Sequence, residues 1–123
     1  MKLEELNIYN SADAISDKIW EIVEEWNYYR KDTIGKQLVR AADSISANIA
    51  EGYGRFFFKE NRNFCYYSRG SLLETKTWLG KAHRRKLIDS QLYHTIIEEL
   101  ESLHKSLNGY IKYITEQSKN QKD

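Results

Sequence analysis

RAADSISANIAEGYGR, residues 40–55, contains the densest run of small side chains in the chain. Around this stretch, apolar side chains recur at spacings of three and four residues, which places them on one face of a helix. They are Leu38, Ala42, Ile45 and Ile49. The small side chains beside that face allow a neighbouring helix to approach closely, so the sequence predicts a central helix, the second of four.

The ends of this second helix are predicted from residues with known preferences for helix termini. Asp32 or Thr33 has the side chain of a typical N-cap. Gly52 and Gly54 follow the last apolar residue of the stripe and are expected to end the helix, because glycine is favoured at helix C-termini.

An earlier apolar stripe predicts a first helix. Asn10 or Ser11 could cap its start. Leu6 and Tyr9 continue the stripe before them, so the helix is predicted from about residue 7 to about residue 30. The stripe consists of Ala12, Ile15, Ile19, Ile22, Trp26 and Tyr29.

A third helix is predicted from Lys59 or Glu60 to about Arg85, with a core line that contains several small residues. The line consists of Cys65, Ser68, Leu72, Thr75, Leu79 and Ala82. Gly70 lies in the middle of this helix, where glycine costs about 1 kcal/mol relative to alanine. Close packing of its backbone against the small face of the second helix would explain that cost.

The cleanest stripe predicts a fourth helix after a cap at Asp89 or Ser90. It consists of Leu92, Ile96, Leu100, Leu103, Leu107, Ile111 and Ile114. Four amphipathic helices with short links predict an all-α fold, an antiparallel up-down four-helix bundle. Residues 1–118 are expected to form this single domain, and residues 119–123 a frayed polar tail.

Composition indicates the cellular setting and the kind of partner. Cys65 is the one cysteine, so no disulfide can form within the chain, and a reducing, cytoplasmic location is expected. No apolar run approaches the roughly 20 residues of a membrane span, and residues 1–5 lack the form of a signal peptide, so no membrane partner is expected. The net charge is only +1, but residues 55–86 contain nine basic and two acidic side chains.

Two motifs are more specific than the periodicity: NIAEG at residues 48–52 and GSLLE at residues 70–74. With them, the chain resembles the four-helix-bundle proteins named for open reading frames in 23S ribosomal RNA intervening sequences, which are related to the accessory protein of diversity-generating retroelements. The resemblance implies a left-handed bundle and a ring-like homopentamer. Through those relatives it also implies binding of RNA or DNA, or of a protein that handles nucleic acid.

Polar side chains at helical spacing in the second and third helices form a candidate polar network. It consists of Arg40, Ser44, Asn48, Glu51, Ser71 and Glu74. One interpretation is a buried polar site, and the other is a structural set of hydrogen bonds that maintains helix register, since buried polar groups must be satisfied. The set contains no nucleophile paired with a base, so the structural interpretation is preferred and no catalytic residue is predicted.

Basic side chains recur at steps of seven residues from Arg55 to His83, which returns them to nearly the same helix face with a drift of about 20° per step. The candidate nucleic-acid-binding residues are Arg55, Lys59, Arg62, Arg69, Lys76, Arg84 and Arg85. Such a face predicts binding of a phosphate backbone. The alternative is that the face pairs with acidic residues of the first and fourth helices or of another subunit.

Neither a metal site nor a cofactor is predicted. Glu101 and His104 have the Glu-x-x-His spacing of di-iron bundles, but those sites require the motif twice together with two more carboxylates. Cys65 lies on the core line, where it is most simply a small buried hydrophobe. The sequence contains no glycine-rich phosphate loop and no zinc spacing, so we expect a protein that is not an enzyme.

The aromatic residues exceed what the core stripes use, which predicts a homo-oligomer because aromatic side chains are enriched in interfaces. Those left over are Tyr28, Tyr53, Phe56, Phe57, Tyr66 and Tyr93. The leading hypothesis is a non-enzymatic oligomeric bundle that binds nucleic acid, or a nucleic-acid-handling protein, through the basic surface of the third helix. The rival is a structural or protein-interaction module whose basic stripe is used in subunit contacts.

Overall fold

The computed structural model describes residues 1–121 and shows an all-α chain built from four long helices. The helices are α1 (Asn7–Glu24), α2 (Lys36–Tyr53), α3 (Phe58–Arg84) and α4 (Ser90–Lys119). A 3₁₀ turn at Leu3–Glu5 precedes α1, while a helical turn at Tyr28–Arg30 and a π-helical segment at Lys31–Gly35 lead directly into α2. No strand occurs among the described residues.

Each helix packs mainly against two others, which closes the four into an up-down bundle. α2 contacts α1 and α3, and α4 contacts α3 and α1. Consecutive helices run antiparallel, because they lie side by side and are joined by short links. A buried hydrogen bond of 2.7 Å from Ser68 Oγ to the carbonyl of Ile45 joins α3 to α2. The predicted fold class is confirmed.

The apolar stripes of the four helices meet in one core, as their periodicity predicts. Every residue of the core line predicted for α3 is buried, including the small residues Cys65, Ser68 and Thr75. Among the largest fully buried side chains are Ile19, Leu38, Ile45, Ile49, Leu72, Leu79, Ile96, Leu100, Leu107 and Ile114. Removing apolar surface from water contributes about 25 cal/mol per Å², so the bundle is stabilised chiefly by these side chains.

The first helix begins at Asn7, as predicted, but it ends earlier than predicted. The suggested caps Asn10 and Ser11 lie inside the helix, and no side chain caps its N-terminus. The helix ends at Glu24, and Tyr29, which the pattern places on the apolar face, is exposed. The apolar spacing continues past the end of the helix because three- and four-residue steps also fit the helical segment that follows the turn.

The second helical segment starts earlier than predicted. Its N-cap is Asn27, whose side chain accepts a hydrogen bond of 3.0 Å from the amide of Arg30. The predicted caps Asp32 and Thr33 lie inside the π-helical segment and were the wrong choice. Asparagine caps a helix as well as aspartate does, and the earlier start lets the helical backbone deliver Ile34 into the core.

The roles predicted for two glycines are corrected by the packing of α2 on α3. Gly52 is helical and buried, and a Cβ atom there would lie 2.6 Å from Asn61 Oδ1 and 2.9 Å from the Asn61 carbonyl oxygen. The close packing predicted at Gly70 is therefore found at Gly52, whereas a Cβ at Gly70 would meet no atom within 4 Å. The C-cap is Gly54, whose φ of −76° is open to any residue.

The first residues of the tail that the sequence predicts to be frayed, 119–121, contact the bundle through Gln121. α4 includes Lys119. The Gln121 side chain accepts a hydrogen bond of 2.7 Å from the amide of Phe58 and donates one of 3.1 Å to the carbonyl of Phe56. It thereby satisfies one of the amides that the start of a helix leaves without an internal partner. Residues 122 and 123 of the predicted tail lie outside the described residues.

Candidate nucleic-acid interface

The seven-residue series of basic side chains lies along the flank of α3 that faces α4. Arg69 Nη1 donates a hydrogen bond of 2.9 Å to Asn108 Oδ1 on α4. Further along α3, His83 Nε2 is 2.9 Å from Ser90 Oγ at the start of α4. The members of the series within α3 are half-buried instead of fully exposed.

Three members of this series, Arg62, Arg69 and Lys76, form a basic face without internal ion pairs. Among residues 1–121, none of the three has a carboxylate oxygen within the 4.0 Å of an ion pair. Arg69 bonds a neutral amide and lies over the ring of Tyr66, with 5.2 Å from its guanidinium carbon to the ring centroid. Arg62 Nε is enclosed and has no hydrogen-bond partner among the described residues, which lowers stability.

The other candidate residues have different surroundings. Arg55 lies in the link before α3 and is paired with Glu51 at 2.7 Å and with Glu60 at 3.7 Å, so the chain itself neutralises it. The candidates on the surface at the two ends of α3 are Lys59, Arg84 and Arg85. Cations at the C-terminal end of a helix interact favourably with its dipole. Arg84 and Arg85 therefore also stabilise the end of α3.

His104, on α4, reports the electrostatic potential beside the basic face. Desolvation lowers its pKa below 6.5, and the positive charges of Lys76 and Arg69 lower it further. Two cations that act on the same neighbouring imidazole create a local positive potential, which attracts anions.

Replacing His104 by glutamine is expected to make the protein less sensitive to acid. Because the pKa of His104 is lower in the folded protein than in the unfolded chain, the unfolded chain binds more protons below about pH 6.5. The wild type therefore loses stability relative to the variant as the pH falls from about 7.5 to about 5. Urea unfolding at both pH values measures this difference, and an unchanged gap between the two proteins would contradict the assignment.

The part of the candidate polar network on α2 forms only local bonds. Ser44 Oγ donates to the carbonyl of Arg40, and Asn48 Nδ2 donates to the carbonyl of Ser44, both at 2.8 Å. Glu51 pairs with Arg55, four residues later. The Ser44 and Asn48 side chains therefore satisfy backbone carbonyls of α2, and Glu51 pairs with the link that follows it.

The part on α3 is also local. Glu74 accepts a hydrogen bond of 3.1 Å from Trp78 Nε1, and the carbonyl of Ser71 accepts one of 2.8 Å from Thr75 Oγ1. Within residues 1–121, no hydrogen bond joins the two parts of the set.

Different residues make the polar contacts between helices. Asn61 Nδ2 donates to Tyr110 Oη at 3.2 Å, which joins α3 to α4. Ser16 Oγ donates to Asp43 Oδ1, which joins α1 to α2. With Ser68, these bonds hold the register of the bundle. Ser68 lies on the predicted core line and Asn61 lies four residues before Cys65, so a search for polar residues on apolar stripes would have found both.

An apolar groove of about 430 Å³ lies where the end of α1 meets the start of α2. Trp20 and Tyr28 line this aromatic groove and are 55% and 79% exposed. Of the aromatic residues predicted to remain outside the core, those exposed are Tyr28, Phe56 and Tyr66. Those half-buried are Tyr53, Phe57 and Tyr93. The groove thus includes one of the predicted aromatic residues, Tyr28, and a tryptophan, Trp20, that the prediction omitted.

Three further observations concern chemistry. Cys65 is fully buried, and burial raises the pKa of its thiol to about 12, so the thiol is protonated and unreactive at neutral pH. The described residues include no group of three or more His, Cys, Asp or Glu side chains that is arranged to hold a metal ion. Within residues 1–121, no helix is long and apolar enough to cross a membrane.

The fold and the basic face define a class of protein, the small four-helix bundles that present a charged helix flank at their surface. The chain belongs to the family described as 23S rRNA-intervening sequence protein, whose model matches residues 4–109. The resemblance carried by the NIAEG and GSLLE motifs is thereby confirmed.

A solved structure shows the same fold. It is the crystal structure of a protein of unknown function from the S23 ribosomal protein family of Bacteroides thetaiotaomicron VPI-5482. The two chains are 21% identical with a TM-score of 0.77, and the match covers 85% of this chain and 98% of that one. No match is found among proteins with curated descriptions.

Proposed function

We propose that this protein is a non-enzymatic, oligomeric bundle of the cytoplasm that binds the phosphate backbone of nucleic acid through its basic face. The observation that carries the proposal is the lack of carboxylate partners for Arg62, Arg69 and Lys76 within residues 1–121. Their charges are therefore not neutralised by ion pairs within the described chain. Contacts between such cations and phosphates release counterions, so the affinity falls steeply with salt.

The rival proposal is that acidic residues of another protein chain, either a second copy or a nucleic-acid-handling protein, neutralise the basic face. The first part of that alternative was pairing with acidic residues of α1 and α4. Among the described residues, only Arg55 of the seven-residue series forms ion pairs, and its partners lie on α2 and α3. The two proposals differ in what is bound, so direct binding measurements separate them.

Reversing two charges of the basic face, with Arg62→Glu and Arg69→Glu in one variant, is expected to weaken nucleic-acid binding by at least about tenfold at low salt. The slope of log affinity against log salt should also fall by about two, because two phosphate contacts are lost. Fluorescence anisotropy of labelled RNA and DNA at about 50 and about 200 mM salt measures both quantities.

The matched control is the variant Lys2→Glu/Arg30→Glu, which changes the net charge equally at exposed positions outside α3. It should retain most of the affinity. Equally weak binding by the wild type and the Arg62/Arg69 variant at low salt would overturn the proposal. NMR titration of His104 adds a readout independent of affinity, since a phosphate beside Lys76 and Arg69 should raise its pKa.

We also propose that copies of the chain associate through the aromatic groove. The family resemblance implies a homopentamer, and a homopentamer requires a contact surface between copies. Trp20 and Tyr28 expose apolar area around a groove, and monomers rarely expose large continuous apolar patches. Aromatic side chains are also enriched in the centres of interfaces.

Placing a charge in the groove with Trp20→Glu is expected to shift the assembly toward monomers, because an unpaired carboxylate is costly to bury in an interface. Sedimentation velocity at micromolar concentration measures the shift. Tyr113→Glu is the control, since Tyr113 is an exposed aromatic residue on α4 outside the groove. A wild-type protein that sediments as a clean monomer would contradict the proposal.

A further inference from the structure

The exposed surface of α3 includes a glycine, and the charge of the basic face does not explain why a glycine is there. Gly70 lies in the middle of the helix, where glycine is destabilising. The packing of α2 does not account for it, because a Cβ atom at Gly70 would meet nothing within 4 Å. A residue with a side chain would therefore fit there and would strengthen the helix.

Gly70 lies beside two exposed aromatic rings. Tyr66 and Tyr67 precede it by four and three residues, which makes them its neighbours on the helix surface. A helical side chain leans toward the N-terminus and covers the preceding turn. A long side chain at position 70 would therefore lie over these tyrosines, and the glycine leaves them uncovered.

The ring of Tyr66 is also part of the basic face. Arg69, three residues later, places its guanidinium over this ring at 5.2 Å from the centroid. Arg62 lies one turn before Tyr66 on the same side of the helix. Tyr66 is 40% exposed, so a planar group can reach the ring from the side of Gly70 while the cations remain within reach of attached phosphates.

We infer that the basic face binds single-stranded nucleic acid, with one base stacked on Tyr66 in the space left by Gly70 and the flanking phosphates on Arg62 and Arg69. This inference rests on the proposed function and names its ligand. Aromatic side chains stack on unpaired bases whatever their sequence. In a duplex the bases are already stacked on one another, so a duplex can use the cations but not the tyrosine.

The test compares single strands with a duplex. Labelled 15-nucleotide oligo(dT) and oligo(U) and a 15-base-pair DNA duplex are titrated with the full-length protein at about 50 mM salt. Tyr66→Ala should weaken binding of the single strands by about tenfold and leave the duplex nearly unchanged. Tyr66→Phe retains the ring and should bind like the wild type. Binding of either oligo(dT) or oligo(U) with this pattern supports the inference, and comparing the two identifies the preferred sugar.

Gly70→Leu provides a variant whose effect cannot be due to unfolding. Leucine is a far better helix former than glycine, so this variant should melt at a higher temperature than the wild type, while its side chain covers Tyr66 and weakens single-strand binding several-fold. Gly70→Ala is the control, because a methyl group stabilises the helix but covers little of the ring.

The outcomes separate this inference from the proposed function. The base-stacking inference is overturned if Tyr66→Ala weakens the binding of single strands and of the duplex equally, or weakens neither. Phosphate binding still stands in that case, provided that Arg62→Glu/Arg69→Glu abolishes binding. If none of the three probes binds the wild type at low salt, both fail.

Discussion

Replacing Gly52 by alanine is expected to lower the free energy of unfolding by about 3 kcal/mol, because the added methyl group has no space. Its Cβ would lie 2.6 Å from Asn61 Oδ1, 2.9 Å from the Asn61 carbonyl oxygen and 2.9 Å from Phe64 Cβ. The amide oxygen can rotate away, but the carbonyl oxygen belongs to the backbone of α3. The two helices must therefore separate, which disturbs the packing on both sides of the contact.

Gly54→Ala is the matched control, since it adds the same methyl group two residues later. There the nearest atoms are 3.6 and 3.7 Å away and φ is −76°, so alanine fits without strain. Urea unfolding at a fixed protein concentration measures both variants, with the concentration held constant because assembly would add to stability. Equal stability of the two variants would refute the assignment of Gly52 as a packing glycine.

Replacing Leu72 by alanine is expected to lower the free energy of unfolding by about 3 kcal/mol, the usual cost of a buried leucine. Leu72 is fully buried on the core line of α3. The change removes its contacts and leaves a cavity that the surrounding helices can only partly close. Against a typical total of about 5–15 kcal/mol, this loss is large enough to move the unfolding midpoint clearly.

Leu73→Ala is the control for this experiment. The adjacent leucine is 49% exposed and lies outside the core, so its loss should change stability by no more than about 0.5 kcal/mol. A similar loss for both variants would show that burial of Leu72 does not determine the stability of this part of α3, because alanine is at least as good a helix former as leucine.

Apolar periodicity was sufficient for the helices and the core. The stripe of α4 and the core line of α3 were predicted residue by residue. Apolar side chains repeated every three or four residues lie on one face of a helix, and that face is the one that packs into the core. Ser68 and Thr75 were placed on that line despite their polarity, and both are buried. Cap preferences were right for α4, whose N-cap is Asp89. They failed at the start of the second helical segment, where Asn27 and the predicted cap Asp32 have equally suitable side chains.

The candidate site was only partly accessible from the sequence. Steps of seven residues predicted that Arg62, Arg69 and Lys76 share one flank of α3, since that spacing follows from helix geometry. Which of the basic residues are paired depends on where other helices place their carboxylates, and spacing along one helix contains no such information. Arg55 is neutralised by neighbours at both sides, whereas the three on the flank facing α4 are not.

By itself, the sequence determined that this chain forms four amphipathic helices, which side chains those helices bury and which family the chain belongs to. These properties depend on repeated spacings and on local motifs, both of which can be counted along the chain. Only the tertiary structure decided which residue of the stretch 40–55 permits close packing between helices. Gly52 permits the backbone of α3 to approach, while Gly70, predicted to have that role, faces open space beside Tyr66. Glycine has no side chain to indicate a partner, so its role is determined by whatever lies nearby in space.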